Sequence, residues 1–341
     1  MPDKLTPLRL FRLSINPPEN PAAADAAAFR TMFRPTAEAT GASLTLPNCL
    51  SIEINEPRRV VAIISECIYC RAKEYELGTD KSLSEEHFVA EGLGSRLVLG
   101  EASCKTCAER TEAIETAVLQ KSLLAARRKL NIRGKKRKRG EQKFAIRRIN
   151  VDGSEVIEWR ALEDHPTILL IPQIDAPGLL SGRPLGDSPV MSVWSVYLGG
   201  FSTDDMRSFS SPVLDTVAFC QMLAKMAHGF AVWQFGLDGF RPLLTDFILN
   251  GHTGDEHSDR YHLIGGDLAD FAPSNVLHVL GWSVHRQGET DYLLISIRLF
   301  SYLGGPIFYA VAGELDAPQV ERARAVAEEF ARASHARRSN T

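Results

Sequence analysis

Four cysteines carry the strongest chemical signal in this chain. Cys67-Ile68-Tyr69-Cys70 and Cys104-Lys105-Thr106-Cys107 are two Cys-x-x-Cys pairs with residues 71–103 between them. Such a turn presents two thiolates to one point in space, and Zn²⁺ takes four soft ligands in a tetrahedron. Four thiolates fill that sphere and leave no open position for water, so the expected ion is a structural zinc rather than a catalytic one. Between the pairs lies a second kind of signal, Glu85-Glu86-His87, followed by Gly92-Leu93-Gly94 and the apolar run Leu97-Val98-Leu99.

The elements that must position these residues can be read from periodicity and turn chemistry. Leu83 to Val89 reads as a strand, Gly92 and Gly94 as the connecting loop, and Arg96 to Leu99 as a second strand. Ser103 is the expected N-cap of a helix that begins near Thr106 and Cys107 and runs to about Leu130. Its apolar residues Ile114, Ala117, Val118, Leu124 and Ala125 recur at helical intervals. Upstream, the β-branched stretch from Leu50 to Ile64 predicts a hairpin or extended pair leading into Cys67.

Cys-x-x-Cys, Glu-Glu-His, Leu-Gly before a short strand, and Ala102-Ser103-Cys-x-x-Cys together resemble an HNH endonuclease of the zinc-containing ββα-metal type, over about residues 64–120. The basic run that follows, the segment Pro177-Gly-Leu-Leu-Ser-Gly-Arg-Pro184 and the remaining chain resemble one bacterial subfamily of these enzymes, which carries a C-terminal α+β domain. The resemblance implies a metal-dependent endonuclease that cleaves DNA. His87 would be the general base that deprotonates the attacking water, a role that suits an imidazole titrating near neutrality. Glu86 would hold a catalytic Mg²⁺ or similar divalent ion that clamps the scissile phosphate, in a site separate from the zinc. Two positions depart from the family pattern: Glu101 stands where the family has an Asn that orients the base, and Ala108 where it has a second metal ligand. Glu101 is then the candidate to orient His87 or join the metal. Glu112, one helical turn beyond Ala108, is the candidate replacement ligand.

Charge supplies the next signal. The chain of 341 residues has a net charge of −3, so attraction to nucleic acid must come from local clustering. Such a cluster occurs between Lys121 and Arg148, densest at Lys135, Lys136, Arg137, Lys138 and Arg139, with Glu141 its single acid. Directly after a nuclease-like helix it reads as a contact to the nucleic-acid backbone, with a solvated linker as the plain alternative.

The composition, 44% hydrophobic and 24% charged, is ordinary for a globular chain. Only Cys49 and Cys220 fall outside the paired cysteines, a usage that points to a reducing, cytoplasmic setting rather than a secreted disulfide framework. No run approaches a membrane span, and no signal-peptide core follows the N-terminal basic residues. After Asp152-Gly153, strands are expected over Thr167–Pro172, Met191–Leu198, Leu277–His285, Tyr292–Phe300 and Ile307–Gly313, with a buried helix over Asp215–Phe235. Lys225 and His228 on that helix read as core residues with satisfied hydrogen bonds. His252, Asp255, Glu256, His257, Asp259 and His262 read as a polar surface loop, because their spacing matches no ligand framework.

The expected fold class is α+β: a four-cysteine ββα module followed by a larger domain with a mostly antiparallel sheet. The parts are a lead-in (1–49), the zinc module (50–130), a basic linker or arm (131–148) and a C-terminal domain (149–341), through which a homodimer is one expectation. Two other readings stay open. One is a catalytically inactive zinc-stapled nucleic-acid-binding protein, motivated by Ala108; the other is a zinc-stapled protein-interaction scaffold.

Overall fold

A single hydrophobic cluster runs from the cysteine-bearing segment into the large sheet, so the two halves of the chain share one core. The structure, a computed structural model, describes residues 10–13, 34–35, 49–53, 57–132, 143–149, 152–199, 209–210, 215–251 and 259–338. The class is α+β with mostly antiparallel pairing.

In chain order the strands are β1 (Leu10–Leu13), β2 (Arg34–Pro35), β3 (Leu50–Ile52), β4 (Arg59–Ile63), β5 (Ser84–Glu86), β6 (Leu97–Ser103), β7 (Lys143–Ile149), β8 (Glu155–Ala161), β9 (Ile168–Ile174), β10 (Met191–Tyr197), β11 (Phe209–Ser210), β12 (Arg241–Pro242), β13 (Ile264–Gly266), β14 (His278–Gln287), β15 (Thr290–Arg298) and β16 (Ile307–Leu315). The largest sheet runs β12-β16-β15-β14-β3, with β13 also pairing β16, and every pairing in it is antiparallel. A second sheet runs β2-β1-β10-β9, and the β7–β8 hairpin carries β11. The cysteine-bearing segment forms a small sheet, β4-β6-β5, with β4 parallel and β5 antiparallel to β6.

One helix, Thr216–Phe235 (the core helix), lies against β15 and β16 on one side and the cysteine-bearing segment on another. Its residues are apolar on nearly every side, so a helix of this composition is stable only inside. Asp215 starts it by accepting hydrogen bonds from the Val217 and Ala218 amides, both at 3.0 Å. A long C-terminal helix, Ala317–Arg338, follows β16.

The fold departs from several of these expectations. Leu50–Ile52 does not pair with the stretch after it; it joins β14 at the edge of the largest sheet, while Arg59–Ile63 pairs with β6. The lead-in contributes β1, registered against β10 from Leu10 opposite Val196. The helix expected from Thr106 to Leu130 is broken into three: α1 (Lys105–Thr116), a π-helical segment (Ala117–Ser122) and α2 (Leu124–Lys129). The Pro177–Pro184 segment, part of the resemblance to the bacterial subfamily, holds a short helical turn, Gly178–Ser181. The densest part of the basic run, Lys135 to Arg139, lies outside the described residues, as does the His252–His257 part of the polar loop.

Candidate metal centre and the cavity beside it

The four cysteines converge. One sulfur from each of Cys67, Cys70, Cys104 and Cys107 lies within 4.8 Å of all the others, and Cys70 Sγ is 3.6 Å from Cys104 Sγ. A tetrahedron with Zn–S bonds of about 2.3 Å places its sulfurs about 3.8 Å apart, so this donor set could hold a structural metal such as zinc. Among the described residues it is the only group of three or more His, Cys, Asp or Glu side chains close enough for one ion.

Local geometry explains the convergence. The turn after Cys67 closes through Arg71 N–H to the Cys67 carbonyl (2.9 Å) and Cys67 N–H to the Ala72 carbonyl (2.7 Å), with Arg71 at a φ of 66°. Ile68 N–H donates to the Ala102 carbonyl at 2.8 Å and so ties this turn to β6. Cys104, not Ser103, is the N-cap of α1, which puts Cys107 in the first turn of the helix. Cys67, Cys104 and Cys107 are buried and Cys70 is exposed. The Cys67 thiol is pulled down to about 4, chiefly by the hydrogen bond from Cys107 and then by backbone amides, against the effect of burial. Cys70 is pushed up to about 11, first by burial.

After the first of these turns, β5, β6 and α1 follow in the order strand, strand, helix. Glu86 and His87 are neighbours on or just after β5, so their side chains point to opposite faces. His87 faces outward and lines an open cavity of about 490 Å³ together with Arg58, Ser84, Glu85, Glu91 and Arg96. Arg58 and Glu85 form an ion pair on its rim.

Glu86 faces inward and is 5% exposed. Lys225 of the core helix meets it there with Nζ 2.7 Å from the Glu86 carboxylate, and the same ammonium pairs with Glu115 of α1. Lys225 also donates to the His87 carbonyl at 2.6 Å, so one buried ammonium joins β5, α1 and the core helix. Burial raises the Glu86 carboxyl above its usual range, and Lys225 opposes that rise. For Lys225, burial acts to lower the pKa, but the two carboxylates outweigh it and hold the ammonium well above its ordinary value.

The donors expected for a catalytic divalent ion therefore do not come together. Glu86 is a partner of Lys225, because the strand's alternation turns it away from the cavity. Glu101 is exposed on β6, where it accepts a hydrogen bond from Ser65 at 3.3 Å. Glu112 is exposed on α1, and neither it nor Glu101 lines the cavity with His87. Ala108 offers no ligand atom. The set does not fit a Mg²⁺ site at Glu86.

The loop that follows His87 is held by buried donors from elsewhere in the chain. Arg127 of α2 donates to the Gly92 carbonyl and, at 2.9 Å, to the Leu119 carbonyl in the π-helical segment. A Cβ at Gly92 would stand 2.6 Å from the Arg127 guanidinium, so this glycine makes room for a charge. His278 Nε2 lies 2.9 Å from the Leu93 carbonyl, its Nδ1 accepts from Phe300 N–H at 3.0 Å, and His228 Nε2 lies 2.7 Å from the Ile68 carbonyl. Arg127, one of the basic residues counted toward a nucleic-acid footprint, is thus a buried structural group; burial lowers its pKa to about 10.

Sequence reasoning singles out His87 and the four cysteines, and misses Arg58, Arg96 and Glu91 beside His87 as well as Glu115 beneath it. Only the β5–β6 register could have pointed to the cavity residues, by carrying residues near Leu97 alongside the end of β5. No family model, curated protein or solved structure matches this chain.

Proposed function

We propose that this chain hydrolyses phosphodiester bonds in DNA, as an HNH-type endonuclease in which His87 is the general base and the four-cysteine site is a structural zinc staple. The observation that carries the reading is the placement of His87 at the end of β5, in an open polar cavity next to two arginines. Imidazole takes the proton from a water as its oxygen bonds to phosphorus. The P–O3′ bond breaks, and the leaving oxygen regains a proton from solvent. Guanidinium groups offset the charge that builds on the phosphoryl oxygens. The basic run Lys135–Arg139 is assigned to the DNA backbone in this reading.

A second reading is favoured by Glu86 and Ala108: a zinc-stapled protein that binds nucleic acid without cutting it. Plasmid nicking separates the two when wild type and His87→Ala are compared in Mg²⁺, in Mn²⁺ and in EDTA. The expected outcome is cutting by wild type and a loss of about 100-fold or more in His87→Ala. No cutting by wild type in any of these conditions, with DNA still bound, establishes the second reading.

A further inference from the structure

We propose that Arg96 is the phosphate anchor of the cavity beside His87, and that Glu91 biases the cavity toward an internal phosphodiester over a terminal phosphate. The inference rests on the phosphodiester reading of the same cavity and names the ligand charge and the residues that select it.

Four charged side chains besides His87 line the cavity. Arg58 and Glu85 answer each other, so that pair contributes no net charge. Arg96 is half-buried, and no carboxylate among the described residues pairs with it. Its backbone is fixed, because the Arg96 carbonyl accepts from Arg59 N–H at 3.0 Å where β4 meets β6. A guanidinium held by its main chain, facing a cavity and without a carboxylate partner among the described residues, offers a planar fork of N–H donors that matches two phosphate oxygens. The same cavity needs such a cation because the carboxylate expected to hold a metal is spent on Lys225. Phosphate charge would then be met by the protein's own arginine.

Glu91 supplies the selectivity. It lines the cavity, and no cation among the described residues pairs with it. An internal diester carries one negative charge, which Arg96 balances. A terminal phosphate carries close to two near neutral pH, and the second faces the Glu91 carboxylate without compensation.

The test is an NMR titration of the zinc-loaded protein in buffer free of Mg²⁺, Mn²⁺ and chelator, with two probes, the dinucleotide d(TpT), which has one internal diester, and thymidine 5′-monophosphate. Wild type should bind d(TpT) more tightly. Arg96→Gln should weaken d(TpT) by about tenfold or more, with Arg96→Lys between the two. Glu91→Gln should strengthen the monophosphate by several-fold and narrow the preference. Unchanged thermal melts show that the variants are folded. Binding of d(TpT) by Arg96→Gln at wild-type strength overturns the proposal, as does preference for the monophosphate or binding that appears only with Mg²⁺ or Mn²⁺. Arg96-dependent binding by a protein that cuts no DNA keeps this inference and removes the hydrolysis reading. Cutting that Arg96→Gln leaves intact does the reverse.

Discussion

The small β4-β6-β5 sheet and the large sheet on the core helix reach order by different means. In the large sheet, β14 and β15 pair over their whole lengths, from Val279 opposite Arg298 to Gln287 opposite Thr290, and bury Leu280, Trp282, Leu293, Ile295 and Ile297. Apolar area of that extent stabilises a sheet by itself. The small sheet has a three-residue β5 and register shifts in both of its pairings. Strands that short cannot hold a fixed geometry unaided. Four converging cysteines on one side and buried donors from the core helix, α2 and β14 on the other supply what the pairing lacks. The difference teaches that the cavity at His87 owes its shape to the four-cysteine cluster and to long-range polar ties more than to its own strands.

Removing the metal should separate the two regions most. Structural zinc contributes on the order of 10 kcal/mol to small sites. Chelation, or Cys67→Ser with Cys104→Ser, should abolish amide exchange protection in β4, β5 and β6. The strands β14 to β16 should keep theirs, and hydrogen exchange read by mass spectrometry checks this. Equal loss in both regions would show that the staple supports the whole core.

Breaking the tie at Lys225 should come next. Lys225→Met leaves Glu86 and Glu115 facing each other in the interior, at a cost of about 3–5 kcal/mol in urea unfolding. Adding Glu86→Gln to that variant should restore part of the loss, because one of the stranded charges is gone. A loss below about 1 kcal/mol in the single variant would mean that the ammonium is not the link between the regions.

The smallest effect concerns pH. Burial lowers His278 to about 4, from an ordinary value of 6.5. The unfolded chain then binds the extra proton in the window between those values. The stability from a neutral His278 is fully present above about 6.5 and is lost as pH falls toward 4. The loss is up to about 3 kcal/mol for this one group. His278→Gln should flatten that part of the stability–pH curve, and melts at pH 4.5 and pH 7 measure the change.

The parts of this architecture that were legible in the sequence are those whose signal is local. The two cysteine pairs announce themselves by spacing, and the stretches Leu277–His285 and Tyr292–Phe300 read as strands, which the structure places at His278–Gln287 and Thr290–Arg298. The core helix shows itself by an apolar surface on nearly all sides. What could not be read depends on partners far along the chain. Leu50–Ile52 resembles any short β-branched strand, and nothing near it says that β14 is its neighbour. Glu86 looks like a ligand beside His87 until Lys225 arrives from the core helix. The break in the helix at Ala117–Ser122 follows no propensity signal, although it presents the Leu119 carbonyl to the Arg127 guanidinium.

The ties from Lys225, His228 and His278 reach the carbonyls of His87, Ile68 and Leu93 from positions more than a hundred residues away. A fragment cut out at the ends of the cysteine-bearing segment would keep every sulfur and yet strand those three oxygens, along with the apolar flank of Phe88 that Gly229 covers. Grafting this catalytic-looking unit onto another scaffold would therefore mean carrying across the core helix and the edge of the great sheet, which makes the site a property of the whole chain.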